Sequence, residues 1–233
     1  GDACAPSRAA DTLLDMGFAQ EMLNNGWVIT ATDYAGVGTE GVGRYLVGQD
    51  EASDVAYSVA MAHEFPGAQT NKTWAVYGHS QGGHSALWTG ELGNQILPEF
   101  SLVGTVAVAP AAELVPLIAQ QWNQPAQWSI GPDFIVGWKD KYPTLPLEGI
   151  LTEQGSANYE ALSQDCIVEA ALEGHTRAAF GQSLFTGNPL DNPEWLKTAE
   201  AQTPPPMRKE MPTFIAQGAG DTLALPNTQA ALN

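Results

Sequence analysis

Thr73-Trp74-Ala75-Val76-Tyr77-Gly78-His79-Ser80-Gln81-Gly82-Gly83-His84 is the stretch whose reading decides the fold. Its first five residues are β-branched, aromatic or small, and Gly78 closes them, which is the signature of a short buried strand. From Gly82 through Leu92 the residues suit the opening of a helix. Between the two lies Gly78-His79-Ser80-Gln81-Gly82, a Gly-x-Ser-x-Gly sequence. The five residues alone are a weak signal, and their setting gives them weight: strand, sharp turn, helix is what a nucleophile elbow requires. In such a turn the serine takes a strained backbone conformation, and glycines at the flanking positions Gly78 and Gly82 let strand and helix approach. The turn lifts the Ser80 hydroxyl clear of the sheet and aims a helix N-terminus at any oxyanion formed beside it. The competing reading is a glycine-rich βα turn that merely contains a serine.

Outward from the elbow, the chain alternates strand-like and helix-like segments. Apolar positions between Ser7 and Asn25 (Leu13, Leu14, Met16, Phe18, Met22, Leu23) suggest a helix with Ser7 as N-cap and Asn25-Gly26 as its stop. Trp27 to Asp33 has the continuous apolar middle of a parallel strand buried on both faces. The glycine-rich run Ala35 to Gly43 lacks the Gly-Lys-Ser/Thr ending of a phosphate loop and reads as a surface turn. Gln49 to Phe65 is helical, with Val55, Val59, Ala60 and Ala62 as its inner stripe. Ser101 to Ala109 and Pro212 to Gly218 supply two further strands. The sum is an α/β protein with a mostly parallel, doubly wound sheet. Residues 113–206 break the rhythm with several prolines, helical pieces and Trp122, Trp128 and Trp138, and read as an inserted, mainly helical cap. Its aromatics serve either an acyl-binding surface or a small core of their own. The expected organisation is therefore a core over 1–112, a cap over 113–206 and a continued core over 207–233.

The 233 residues fit one sizeable domain. No stretch approaches the ~20 apolar residues that cross a bilayer. Twenty-six acidic residues against 9 basic give a net charge of −17, which argues against nucleic acid or an anionic membrane surface as partner and suits a neutral substrate. Gly1-Asp2-Ala3-Cys4 has neither the basic nor the apolar region of a leader peptide, so the leader is expected to have been removed or the chain to start inside a longer protein. Asn71-Lys72-Thr73 matches a glycosylation acceptor. Cys4 and Cys166 are too few for a zinc site or a redox pair of the Cys-x-x-Cys kind. They are either unrelated buried thiols or one disulfide.

In α/β-hydrolases the chain order is serine, acid, histidine. Asp221, in the glycine-rich turn after the last strand, is the candidate acid, and an aspartate that caps the following turn is the alternative. No histidine follows it: His63, His79, His84 and His175 all precede Asp221. The base is therefore expected beyond Asn233, and a rearranged triad that uses one of these four histidines is the alternative. One oxyanion donor is the main-chain N–H of Gln81, and the second is expected at or upstream of Gly1. Taken alone, the chain should be a poor catalyst.

Cys4-Ala5-Pro6-Ser7, Gly26-Trp27-Val28 with Thr32-Asp33-Tyr34-Ala35-Gly36-Val37-Gly38, Tyr45-Leu46-Val47-Gly48, the elbow through His84, and Ala109-Pro110-Ala111-Ala112-Glu113-Leu114 resemble the secretory lipase family. These are extracellular α/β-hydrolases of fungi and actinobacteria. The resemblance implies a Ser-Asp-His esterase or lipase with Ser80 as nucleophile and Asp221 as acid. It further implies a helical cap over an acyl tunnel, a Cys4–Cys166 disulfide, a secreted protein acting on a neutral ester or lipid, and no metal or organic cofactor. Two alternatives stand beside it: a peptidase or acyltransferase on the same scaffold, and a non-catalytic binding protein built on it.

Overall fold

A computed structural model describes residues 2–9, 16 and 18–224. Three strands form one parallel sheet in the order β1 (Thr73–His79), β2 (Ser101–Val108), β3 (Thr213–Ala216). Thr73 pairs with Ser101 and His79 with Val108, while Thr105 pairs with Thr213 and Val108 with Ala216. The carboxyl ends of all three strands therefore lie along one edge, which is where parallel α/β sheets carry their sites. α2 (Gly48–Glu64) and α3 (Gln81–Ile96) pack on each other, and α3 packs on β1 and β2.

The apolar alternation explains the packing. Trp74 and Val76 of β1 and Leu102 of β2 point inward with Ala56, Ala86, Leu97 and Met211, and Val55 and Val59 of α2 close the layer. On its other face β1 is less buried than its composition suggests, since Thr73, Ala75 and Tyr77 are exposed. Tyr77 meets the Phe18 ring edge-on at 4.2 Å.

Two expected elements differ. Trp27 to Asp33 forms no strand. A strand exists through its ladder of partners, and this segment pairs with neither edge of the sheet, so its apolar run marks strand-forming residues without a partner among the described ones. Of the expected first helix, the described residues hold α1 over Ala19–Asn24 and a 3-10 turn over Pro6–Arg8, while residues 10–15 and 17 lie outside the described ones. Ser7 caps no helix there, because its main-chain N–H donates to Asp33 Oδ1 at 2.9 Å and its hydroxyl to Oδ2. Leu13 and Leu14 lie outside the described residues. The stop at Gly26 is realised with φ 81°, and its N–H returns to Leu23 O.

Between β2 and β3 run α4 (Leu114–Gln121), α5 (Ala126–Ser129), α6 (Gly131–Lys141), α7 (Glu153–Leu162), α8 (Ile167–Ala179) and α9 (Pro193–Gln202). Thr152 caps α7 by accepting from Gly155 N at 2.9 Å, and Asn192 caps α9 through the N–H groups of Glu194 and Trp195. Trp128, Trp138 and Trp195 are fully buried here. Phe134 stands between Trp138, Phe185 and Trp195 at ring distances of 5.2, 5.9 and 5.9 Å. Trp128 and Trp138 are thus core residues, while Trp122 is half-buried. Cys4 and Cys166 form a disulfide that joins the first residues to the start of α8, 162 positions away.

Candidate active site

Ser80 sits between the last residue of β1 and the first of α3 with φ 56° and ψ −116°, a conformation that costs a non-glycine residue roughly 1–3 kcal/mol. Three hydrogen bonds hold it there. Its N–H donates to Val108 O at 3.0 Å, and its carbonyl accepts from His84 N at 3.1 Å and Ala111 N at 3.2 Å. Ser80 is exposed. The His84 bond is the first of the helix, so the N–H groups of Gln81, Gly82 and Gly83 have no partner within the helix.

The glycines divide unequally. A Cβ on Gly78 would stand 1.8 Å from Gly82 O, so strand and helix touch there. A Cβ on Gly82 would meet no described atom within 4 Å. The second close approach belongs instead to Gly83, whose Cβ would lie 2.8 Å from Pro110 Cα. The sequence pattern names Gly82, but the packing uses Gly83.

Asp221 follows β3 by a few residues on the same sheet edge. Strands are about 4.8 Å apart, so the ends of β1 and β3 are about 10 Å apart, a span that one bridging side chain covers. Within its turn Asp221 Oδ1 accepts from Leu223 N at 2.9 Å and Ala224 N at 3.1 Å, and Oδ2 from Gln217 Nε2 at 3.0 Å. The residues after Ala224 lie outside the described ones.

The four histidines are placed elsewhere. His63 contacts Thr70 Oγ1 at 2.9 Å, and His175 is exposed on α8 with Nδ1 on Ala171 O. His79 ends β1 with an exposed side chain. His84 is fully buried beneath the elbow: Nδ1 is 2.6 Å from Glu51 Oε2, and Nε2 is 2.8 Å from Gln202 O. Both of its nitrogens are occupied, so it is not available to Ser80.

Glu51 and Gln202 are site neighbours that sequence reasoning missed. Glu51 is 2 % exposed, and its Oε1 accepts from Leu46 N at 3.0 Å and from Gln81 Nε2 at 2.8 Å. Gln202 ends α9; its carbonyl also accepts from Trp88 Nε1 at 3.0 Å, and its side chain bridges Gly48 N and the Tyr142 hydroxyl. The available signal was a carboxylate one helical turn ahead of Val55, on the inner stripe of α2. Beside Gln81 opens a cavity of about 740 Å³ whose wall includes Tyr34, Arg44, Asp54 and Asp133. Burial, reinforced by the neighbouring Asp165, pushes the Asp133 carboxyl up to about 7. The Ala35–Gly43 run forms turns at the rim of this cavity, as a surface loop.

A parallel sheet, a strained serine between strand and helix at its carboxyl edge, and a helical segment between the last two strands define an α/β-hydrolase. Residues 4–223 match the family described as Secretory lipase, and the chain belongs to that family. Solved structures agree in fold. The rice cell wall degrading esterase LipA from Xanthomonas oryzae superposes with a TM-score of 0.71 at 17% identity, over 85% of this chain and 58% of that one. Candida antarctica lipase A in its closed state gives 0.65 at 15% identity, over 82% of this chain and 46% of that one. The chain thus spans about half the length of these structural relatives. Among curated proteins no relative matches.

Proposed function

We propose that this chain carries the nucleophile of a secreted carboxylic-ester hydrolase, a lipase or esterase acting on a neutral ester. The observation that carries the reading is the Ser80 backbone, strained and held by three hydrogen bonds at the mouth of a helix whose first N–H groups have no partner within the helix. Ser80 Oγ attacks the ester carbonyl carbon as a histidine beyond these residues takes its proton. The negative charge that develops on the carbonyl oxygen is held by the Gln81 N–H and the positive end of α3. The alcohol leaves with that proton, and water then releases the acyl group from Ser80 by the reverse sequence. Asp221 orients the histidine. Residues 113–206 act as the cap over the acyl site. The Cys4–Cys166 disulfide supports an extracellular setting, and no helix among the described residues is long and apolar enough to cross a membrane.

A specific observation favours a second role for Asp221. Both of its oxygens are engaged in its own turn, as they would be in a purely structural aspartate. Hydrolysis of p-nitrophenyl esters of graded chain length by the full-length protein, beside peptide substrates and acyl acceptors, tests the reading. Ester turnover should dominate, and Ser80→Ala should lower it by about 10⁴ or more. Turnover that survives Ser80→Ala refutes the assignment.

A further inference from the structure

Glu51 and His84 form a fully enclosed pair under the elbow, with side-chain exposures of 2% and 0%. Among the described residues, each polar atom of the pair has a partner. Gln202 O can only accept, so His84 Nε2 carries a hydrogen. Leu46 N and Gln81 Nε2 both donate to Glu51 Oε1, so that oxygen carries none. One further hydrogen lies in the 2.6 Å contact between Nδ1 and Oε2. Every polar atom of the pair is satisfied.

Packing alone does not call for such a pair. Taking a carboxylate out of water costs several kcal/mol, and well-packed apolar residues often stabilise as much or more. What an apolar substitute cannot offer is an acceptor for the Gln81 amide. Gln81 is half-buried at the first position of α3, where its long side chain loses rotamer freedom by being held. Its main-chain N–H belongs to the same residue and, at the first position of the helix next to Ser80, has no partner within the helix. Through the Nε2 of His84, the pair also reaches the last turn of α9.

We infer that Glu51, supported by His84, is a positioning residue: by gripping the Gln81 side chain it fixes the Gln81 N–H that holds the oxyanion, and it locks that donor to the end of the 113–206 segment. This rests on the ester-hydrolase reading above. Removing an oxyanion donor outright costs about 10²–10³ in turnover, so loosening one should cost less, about 10-fold.

The test is kinetic, on the full-length protein with p-nitrophenyl butyrate and kcat counted per fluorophosphonate-titratable serine. Gln81→Ala keeps the Glu51–His84 pair and the N–H itself but removes the grip. It should lower kcat about 10-fold with KM and the melting temperature little changed. Glu51→Ala should lower kcat further and destabilise the fold. Glu51→Gln can rebuild every contact, accepting from Leu46 and Gln81 through its oxygen and donating to His84 Nδ1, and should recover most of what Glu51→Ala loses. In a Gln81→Ala background, exchanging Glu51 for Gln should leave kcat where the single variant put it. A purely structural pair would instead move melting temperature and the number of titratable sites, leaving kcat per site alone. Gln81→Ala at wild-type kcat, or Glu51→Gln no better than Glu51→Ala, overturns the inference. A wild-type protein that neither hydrolyses the ester nor takes the probe at Ser80 overturns the ester-hydrolase reading, and this one with it.

Discussion

The two glycines of the Gly-x-Ser-x-Gly sequence should respond to alanine in opposite ways. At Gly78 the added carbon would lie 1.8 Å from Gly82 O, 2.1 Å from Gly82 C and 2.8 Å from Gly83 N. All three are main-chain atoms, so no side chain can turn aside. With nonbonded contacts near ~3.5 Å, β1 and α3 must part by roughly 1.5 Å. Overpacking of this kind costs about 1–3 kcal/mol. The Ser80 bonds to Val108 O, His84 N and Ala111 N span the same junction, and each that is lost adds about 1 kcal/mol. Gly78→Ala should therefore cost about 3–5 kcal/mol, a large share of the ~5–15 kcal/mol that domains have. Gly82→Ala meets open space and should be neutral or stabilising by up to about 1 kcal/mol, since alanine suits a helix better. Urea unfolding followed by tryptophan fluorescence, with all variants disulfide-bonded, gives both numbers. Equal losses for the two variants, or a Gly78→Ala loss under about 1 kcal/mol, would refute the packing argument.

Replacing Cys4 and Cys166 together by alanine opens a loop of 162 residues. It should cost up to about 5 kcal/mol on the chain-entropy account, read as a fall in urea midpoint that reduction of the wild type reproduces. Asp133, raised to about 7 by burial, holds its proton in the folded protein at pH values where the unfolded chain has released it. The folded state thus binds more protons between about pH 4 and 7, and stability falls as pH rises through that window. Asp133→Asn should flatten the slope between about pH 4 and 7, and an unchanged slope would show that another group sets it. Asp221→Asn keeps an oxygen to accept from Leu223 N and Ala224 N but loses the charge. If Asp221 orients a catalytic histidine, kcat should fall by about 10³–10⁴, far more than the loss of the one bond from Gln217 Nε2 would cost the turn. A kcat within about threefold of wild type would leave it a turn-capping residue, because the bonds from Leu223 N and Ala224 N survive the substitution and only the one from Gln217 Nε2 is lost.

The strands β1, β2 and β3 and the helices α2 and α3 were legible because local pattern decides them. Trp74 and Val76 alternate with outward residues, Gly78 and Pro110 punctuate, and Val55 and Val59 recur at helical spacing. Trp27 to Asp33 misled for the same reason. Composition records a readiness to pair, and pairing needs a neighbour. Ser7 misled because its hydroxyl found the Asp33 carboxylate 26 residues on instead of a helix start. Ser80 could be located from its flanks, but the choice of Gly83 over Gly82 rests on Pro110, which the pattern does not contain. The Glu51–His84–Gln202 cluster was beyond reach: its members are joined across 118 residues at the His84–Gln202 contact. No local spacing announces such a meeting.

Mapping the site of covalent modification tests the central claim most directly. The full-length protein is treated with a fluorophosphonate, digested and read by peptide mass spectrometry. A single adduct on Ser80, absent when Ser80→Ala is treated alongside, is the predicted result. An unmodified Ser80 in a protein that hydrolyses esters, or an adduct that persists on another residue in Ser80→Ala, would contradict it.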